Sequence, residues 1–208
     1  MIEQWRRLSI HPWVLPFTEW RIGVKWRLQG RPGTPPPRVK QALVKEYQRR
    51  FGLRVFVETG TYAGEMINAV VGRFDRIFSI ELDDQWHAQA VVRFATRRDV
   101  TLLHGDSSIR LCEVLAGLRE PALFWLDAHY CGPGTARGPL DSPIVRELQA
   151  IEAHSVRGHV VLIDDMRYFS GSGGYPDACA LAGALRRNHP AHVVEIRDDV
   201  LRWHPARP

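Results

Sequence analysis

From residue 38 onward, hydrophobic and polar positions alternate in blocks that switch between two periods. Residues 39–51 place Leu43, Tyr47 and Phe51 at helical spacing, and Gly52 ends the run. Apolar runs over 53–58, 76–81, 100–104, 122–127 and 159–164 are too short for helices and suit buried strands. Between them, residues 64–73, 84–97, 107–118, 142–154 and 177–188 read as helices. Asp83 or Asp84 stands where one N-cap belongs, and Ser142 where another does, with Pro143 at a first helical position. Residues 192–197 and 200–203 form two strands around a tight turn at Asp198 and Asp199. Residues 129–141 and 166–176 are polar loops rich in glycine, the first also in proline. Strands alternating with helices predict an α/β fold: a Rossmann-like, doubly wound, mostly parallel seven-stranded sheet closed by a C-terminal antiparallel hairpin.

The chain is organised around residues 55–64, VFVETGTYAG, where a buried strand turns sharply into a helix. Such a turn presents free backbone N–H groups, and glycine lets the chain bend or a ligand come close. Nucleotide-like cofactors sit at this position on open α/β sheets. An ordinary strand-to-helix turn is the competing reading. Six acids, Glu58, Glu81, Asp106, Asp127, Asp164 and Asp165, fall at or just past the carboxyl end of a predicted strand. Any one could be a helix cap or a solvated loop acid, but six on one rim point to a binding edge. Glu81 follows the glycine turn by about twenty residues, the offset at which an acid reaches ribose hydroxyls.

Residues 1–37 differ in character. Trp5, Trp13, Trp20 and Trp26 stand among five basic residues, and Pro12 and Pro16 interrupt any long helix. This Trp- and Arg-rich arm, with its proline-rich linker over 30–37, is expected to pack on the domain formed by residues 38–208 or on a second subunit, giving a homodimer. A membrane-surface anchor is the alternative. At 208 residues the chain has room for a full core. Its net charge of +5 is dispersed, with no zinc-finger spacing or aromatic RNA-binding motif, so no nucleic-acid partner is expected. Cys112, Cys131 and Cys179 are widely spaced, which suits a reduced, cytoplasmic protein, and no apolar run reaches spanning length.

ETGTYAG after the first strand, SIEL at the second, HGDS after the third and LFWLDAHY at the fourth resemble a class I S-adenosylmethionine-dependent methyltransferase over roughly residues 38–204. The resemblance implies that Glu58, Thr59, Gly60, Tyr62 and Gly64 border the amino-acid end of S-adenosylmethionine. It places Glu81 on the ribose, Asp106 and Ser107 on the adenine, and Asp127 beside the reacting centre. Tyr62 stands where the commoner motif has its middle glycine. A nicotinamide dehydrogenase, the competitor for this fold, would carry a tighter G-x-G-x-x-G.

With strands four and five adjacent, Asp127, Asp164 and Asp165 would converge. Three carboxylates repel, and a divalent cation with oxygen ligands resolves the conflict. The set resembles the Mg²⁺ site of catechol-type and macrolide-sugar O-methyltransferases, with Asp165 closer to the sugar-modifying branch. The competing reading is that these acids cap the next segment and bind no metal. His129 is the first choice of general base, ahead of Asp141, His154 and His159. Tyr130, Arg137, Arg167, Tyr168 and Tyr175 would enclose the acceptor, a small molecule or saccharide. Transfer of a methyl group to a sugar hydroxyl is the expected activity. A phenolic acceptor and a catalytically silent, cofactor-binding module stay open.

Overall fold

Strand and helix alternate as the hydrophobic pattern predicts. The computed structural model describes residues 23–31, 33–128 and 142–207. The elements are α1 (Pro37–Phe51), β1 (Val55–Thr59), α2 (Glu65–Val70), β2 (Arg76–Glu81), α3 (Asp84–Arg93), β3 (Val100–His104) and α4 (Ser107–Gly117). They continue with β4 (Ala122–Leu126), α5 (Ile144–Ala153), β5 (Val160–Ile163), a 3₁₀ turn (Met166–Tyr168), α6 (Ala178–Asn188), β6 (His192–Arg197) and β7 (Val200–Pro205). The strands form one sheet in the order β3-β2-β1-β4-β5-β7-β6. Neighbours from β3 to β5 run parallel, and β7 is antiparallel to both β5 and β6.

Side chains leave a strand alternately to its two faces, and the core divides accordingly. Val55, Val57, Phe124, Leu126, Val161 and Ile163 pack on one side with Leu111 and Leu115 of α4, Leu148 of α5 and Leu185 of α6. Phe56, Leu123, Trp125, Val160 and Leu162 pack on the other with Val44 and Tyr47 of α1, Ile67 of α2 and Ala90 of α3. The central strands β1, β4 and β5 are buried on both faces, which is why they read as continuous apolar runs.

Several boundaries differ from the sequence reading. Helix α3 ends at Arg93, not at residue 97, because Phe94 leaves helical geometry and buries its ring. Ser142 does not cap α5 with Pro143 inside. Pro143 itself is the cap residue, and the Ser142 hydroxyl accepts from Ile144 N–H at 3.4 Å. Helix α1 begins at Pro37, inside the expected linker, and Pro35 is buried. Of the arm, residues 23–28 are helical and Trp26 is buried, while Arg31 pairs with Asp198 in the β6–β7 turn at 2.8 Å. The described end of the arm therefore lies on the domain and is not held away from it. Trp5, Trp13 and Trp20 lie outside the described residues. Among the described residues, no helix is long and apolar enough to cross a membrane.

Phe124 is fully buried at the centre of β4. Phe124→Ala is expected to lower stability by about 3–5 kcal/mol, read as a fall in the denaturant midpoint. A loss near zero would contradict the packing described.

Candidate functional site

The order of strands reverses between β1 and β4, and ligands of open α/β sheets bind in the crevice at such a point. The turn after β1 is held there by backbone hydrogen bonds. Gly60 N–H donates to Ile80 (2.9 Å), and Asp127 N–H donates to Thr59 (3.0 Å). Gly60 has φ +87°, and a Cβ on it would lie 2.7 Å from the Asp127 carbonyl oxygen. Gly64 has φ +70°, and its Cβ would meet the Phe94 ring at 2.7 Å. Gly60 is thus demanded by the close approach of two backbones, and Gly64 by its positive φ and the Phe94 ring packed on it. Tyr62, at the middle position, also takes a left-handed φ of +45°, so the loop keeps a glycine-like path despite the side chain. Its ring turns outward, 55% exposed, and rests on Trp86 with centroids 4.2 Å apart.

Glu81 is fixed by its own neighbours. One carboxylate oxygen accepts from Tyr62 N–H (2.7 Å), the other from Asp83 N–H (2.9 Å). Lone pairs remain on both oxygens for a ligand. Beneath the turn, the Ser79 hydroxyl donates to Glu58 (2.6 Å) and meets the Thr61 hydroxyl at 2.6 Å. Asp106 caps α4 by accepting from Ser108 N–H (2.8 Å), and Ser107 is buried. Thr59 is buried at the end of β1.

Asp127, Asp164 and Asp165 converge: one carboxylate oxygen from each lies within 4.8 Å of the others. The sequence reading missed the cation beside them. Lys40 Nζ sits 2.6 Å from Asp164 and 2.8 Å from Asp165, with only 13% of its side chain exposed. Arg167 is the second cation. Its guanidinium reaches Asp165 (2.7 Å) and Asp199, and it lies over the Tyr168 ring. Arg167, expected at the acceptor, is therefore engaged with acids of two turns. Asp165 adopts a left-handed φ of +55°, and its N–H donates to the Asp164 carboxylate (2.7 Å). Beside the cluster is a recess lined by Leu126, Asp127, Ile144, Glu147, Phe169 and Tyr175 among others. Tyr175 packs edge-on against Phe169, and Tyr168 is exposed.

The remaining expected residues fall elsewhere. His129, Tyr130, Arg137 and Asp141 lie outside the described residues. His154 and His159 are not at this edge. His159 precedes β5, accepts from Ala122 N–H through Nδ1 (3.1 Å) and meets His154 at 2.9 Å, at the opposite end of the sheet. A signal for Lys40 exists in the sequence: with Leu43, Val44 and Tyr47 it stands at i, i+3, i+4 and i+7 on the buried face of α1. Glu147, also missed, stands in the same way with Ile144, Leu148 and Ile151 on α5.

No family model and no curated protein matches the chain. Solved structures do. The O-methyltransferase TomG of Streptomyces achromogenes, in complex with S-adenosylmethionine, is 17% identical with a TM-score of 0.57, covering 100% of both chains. The methyltransferase PaMTH1 of Podospora anserina, bound to S-adenosylhomocysteine, is 15% identical with a TM-score of 0.58, covering 99% of this chain and 98% of that one. An O-methyltransferase of Bacillus cereus, also complexed with S-adenosylhomocysteine, is 14% identical with a TM-score of 0.57, covering 95% and 93%. The chain has the class I methyltransferase fold.

In this methyltransferase fold the crevice residues suit a ribose-bearing ligand, since Glu81 is a preorganised acceptor at the end of β2. The three aspartates suit Mg²⁺ by donor type, being hard oxygen ligands within reach of one centre. Burial governs the acids around them. It pushes Glu58 up to about 8, with Asp127 and Glu81 adding to the rise and Ser79 opposing it. It pushes Glu147 up to about 7, against the neighbouring hydroxyls of Ser107 and Thr59. Burial also raises Asp164, with Asp127 next in effect, and Lys40 opposes them.

Glu58 and Glu147 hold protons in the folded chain that the unfolded chain gives up above about 4.5. The stability they contribute is full below that pH and is lost as pH rises through 7 and 8. Glu58→Gln with Glu147→Gln should therefore flatten the fall in stability over this window in denaturant titrations at successive pH values. An unchanged slope would show that these carboxyls are not the source.

Proposed function

We propose that the protein is an O-methyltransferase that uses S-adenosylmethionine to methylate a hydroxyl of a small polyhydroxylated acceptor, a sugar or oligosaccharide, with help from Mg²⁺. The convergence of Asp127, Asp164 and Asp165 beside the glycine turn carries this reading, because it puts oxygen ligands for a cation next to the cofactor crevice of the fold.

S-adenosylmethionine supplies a methyl group on a cationic sulfur, open to in-line attack. Mg²⁺ held by the three aspartates would lower the pKa of the acceptor hydroxyl and fix its oxygen. The chain's own work is binding, orientation and exclusion of water. Glu81 takes the ribose hydroxyls in charge-assisted hydrogen bonds, its carboxylate already aimed by Tyr62 and Asp83. Glu58, neutral and tied to Ser79, supports the turn without adding a second negative charge beneath it. Asp127 offers negative charge to the cationic sulfur. His129 takes the hydroxyl proton on an imidazole nitrogen. Leu126, Ile163 and Phe169 wall the recess in which the acceptor would lie. There, attack of an anionic oxygen on the methyl carbon, with the C–S bond breaking and the sulfur leaving as a neutral thioether, neutralises charge, a change that a dry site favours.

A phenolic acceptor is the second reading. Phe169 and Tyr175 give the recess an aromatic wall suited to a planar ring, although aromatic faces also carry sugars.

Calorimetry is expected to show binding of S-adenosylmethionine, weakened about tenfold or more by Glu81→Ala, the loss of a charge-assisted hydrogen bond worth roughly 1.5–3 kcal/mol. No heat at millimolar cofactor would end the methyltransferase reading. Chelation with EDTA should abolish methyl transfer and Mg²⁺ restore it. Full turnover after exhaustive chelation would remove the metal and leave the transferase. A panel of glycosides and catechols, read by methylated product, decides between the two acceptors.

A further inference from the structure

A divalent ion approaching Asp164 and Asp165 meets a cation already in place. Lys40 Nζ lies within ion-pair distance of both carboxylates, and the Asp164 side chain is 1% exposed. The lysine is held there by the register of α1, which puts it on the buried face with Leu43, Val44 and Tyr47. Arg167 adds a second positive charge on Asp165. Among the described residues, Lys40 and Arg167 thus compensate negative charge on Asp164 and Asp165 that would otherwise draw a divalent ion.

The two cations differ in freedom. Arg167 is tied by its backbone N–H and its guanidinium to Asp199, and by its charge to the Tyr168 ring. Lys40 is a compact ammonium on a flexible stem. It also lines an open recess with Glu46 and Asp198 and with Arg27, Arg197 and Arg202, where a released ammonium would meet water and the Glu46 carboxylate. We propose that Lys40 is a built-in competitor for the divalent cation: ammonium and metal exchange on Asp164 and Asp165, and the metal site forms only when Lys40 leaves it. This rests on the reading that the three aspartates take a divalent ion. It makes that site weaker and more readily reversed than one built from three uncompensated carboxylates.

The test uses the full chain and Mn²⁺ as probe, with free ion counted by electron paramagnetic resonance and Mg²⁺ as competitor. Lys40→Met is expected to bind Mn²⁺ at least tenfold more tightly than the unsubstituted protein. Lys40→Arg, which keeps the charge, should stay as weak as the unsubstituted protein. Adding Asp164→Asn to Lys40→Met should abolish the gain. Equal affinity in the unsubstituted protein and Lys40→Met overturns the competition and leaves the metal reading standing. No Mn²⁺ binding in any variant overturns both, while cofactor binding by calorimetry separately reports on the transferase reading. A measurement on the unsubstituted protein guards against a misfolded variant. The chain has three lysines, Lys25, Lys40 and Lys45, so amine acetylation followed by mass spectrometry reads each one. Saturating Mg²⁺ should raise labelling of Lys40 several-fold over Lys25 and Lys45, and unchanged labelling of Lys40 overturns the exchange.

Discussion

Carboxyl groups taken out of water at the end of a parallel sheet must be neutralised, by a proton or by a cation. The carboxyl edge of this sheet uses both routes. Glu58 and Glu147, fully enclosed on opposite sides of the β1–β4 seam, form no ion pair among the described residues and are pushed to the neutral form. Asp164 and Asp165 are instead matched with Lys40 and Arg167. Asp127 stands between the two groups, and its charge raises Glu58, Glu147 and Asp164 alike. A change in the charge at Asp127 is thereby felt by all three, so a cationic ligand beside it would alter proton binding throughout the crevice.

This coupling depends on how closely β1 and β4 run past each other. Thr59 pairs with Leu126, Asp127 N–H donates to the Thr59 carbonyl, and Gly60 lies against the Asp127 backbone. The absence of a side chain at Gly60 permits that approach. A Cβ would push the Asp127 carbonyl away and carry the carboxylate with it. The loop's positive φ at Tyr62 aims the N–H at Glu81, so the loop also fixes the acid on the neighbouring strand. Backbone geometry at Gly60 and Tyr62 thus positions the carboxylates of Asp127, just past β4, and Glu81, at the end of β2.

Much of this was legible in the chain. The alternation of periods gave the order of elements, and the placement of acids after strands gave the rim. The sheet's closing hairpin followed from two short apolar runs around Asp198 and Asp199. What could not be read were contacts between residues far apart in sequence. Lys40 and Asp165 are separated by 125 positions, and nothing local to either names the other. Helix ends misled for a related reason: the continuation of α3 to residue 97 fits helical spacing, but the burial of Phe94 against Gly64 is set by tertiary packing. Histidines at 154 and 159 were attractive as bases by chemistry alone, and only the direction of β5 removes them to the far edge.

Charged residues inside an apolar helical stripe would have narrowed the gap. Lys40 interrupts the stripe of α1, and Glu147 that of α5, each at a position where an apolar side chain would ordinarily be buried. A charge there is costly unless something compensates it, so its presence says that the helix face meets a polar group of the sheet. The identity of the residue even indicates the kind of partner. A lysine keeps its charge and needs an acid, which Asp164 and Asp165 provide at the end of β5 and just beyond it. A glutamate can surrender its charge, and Glu147 lies against hydroxyls and other acids, where the neutral form is the stable one. Helices on opposite faces of the sheet therefore each direct one ionisable group at the same rim, and the composition of the crevice is set as much by its helical walls as by the strand ends.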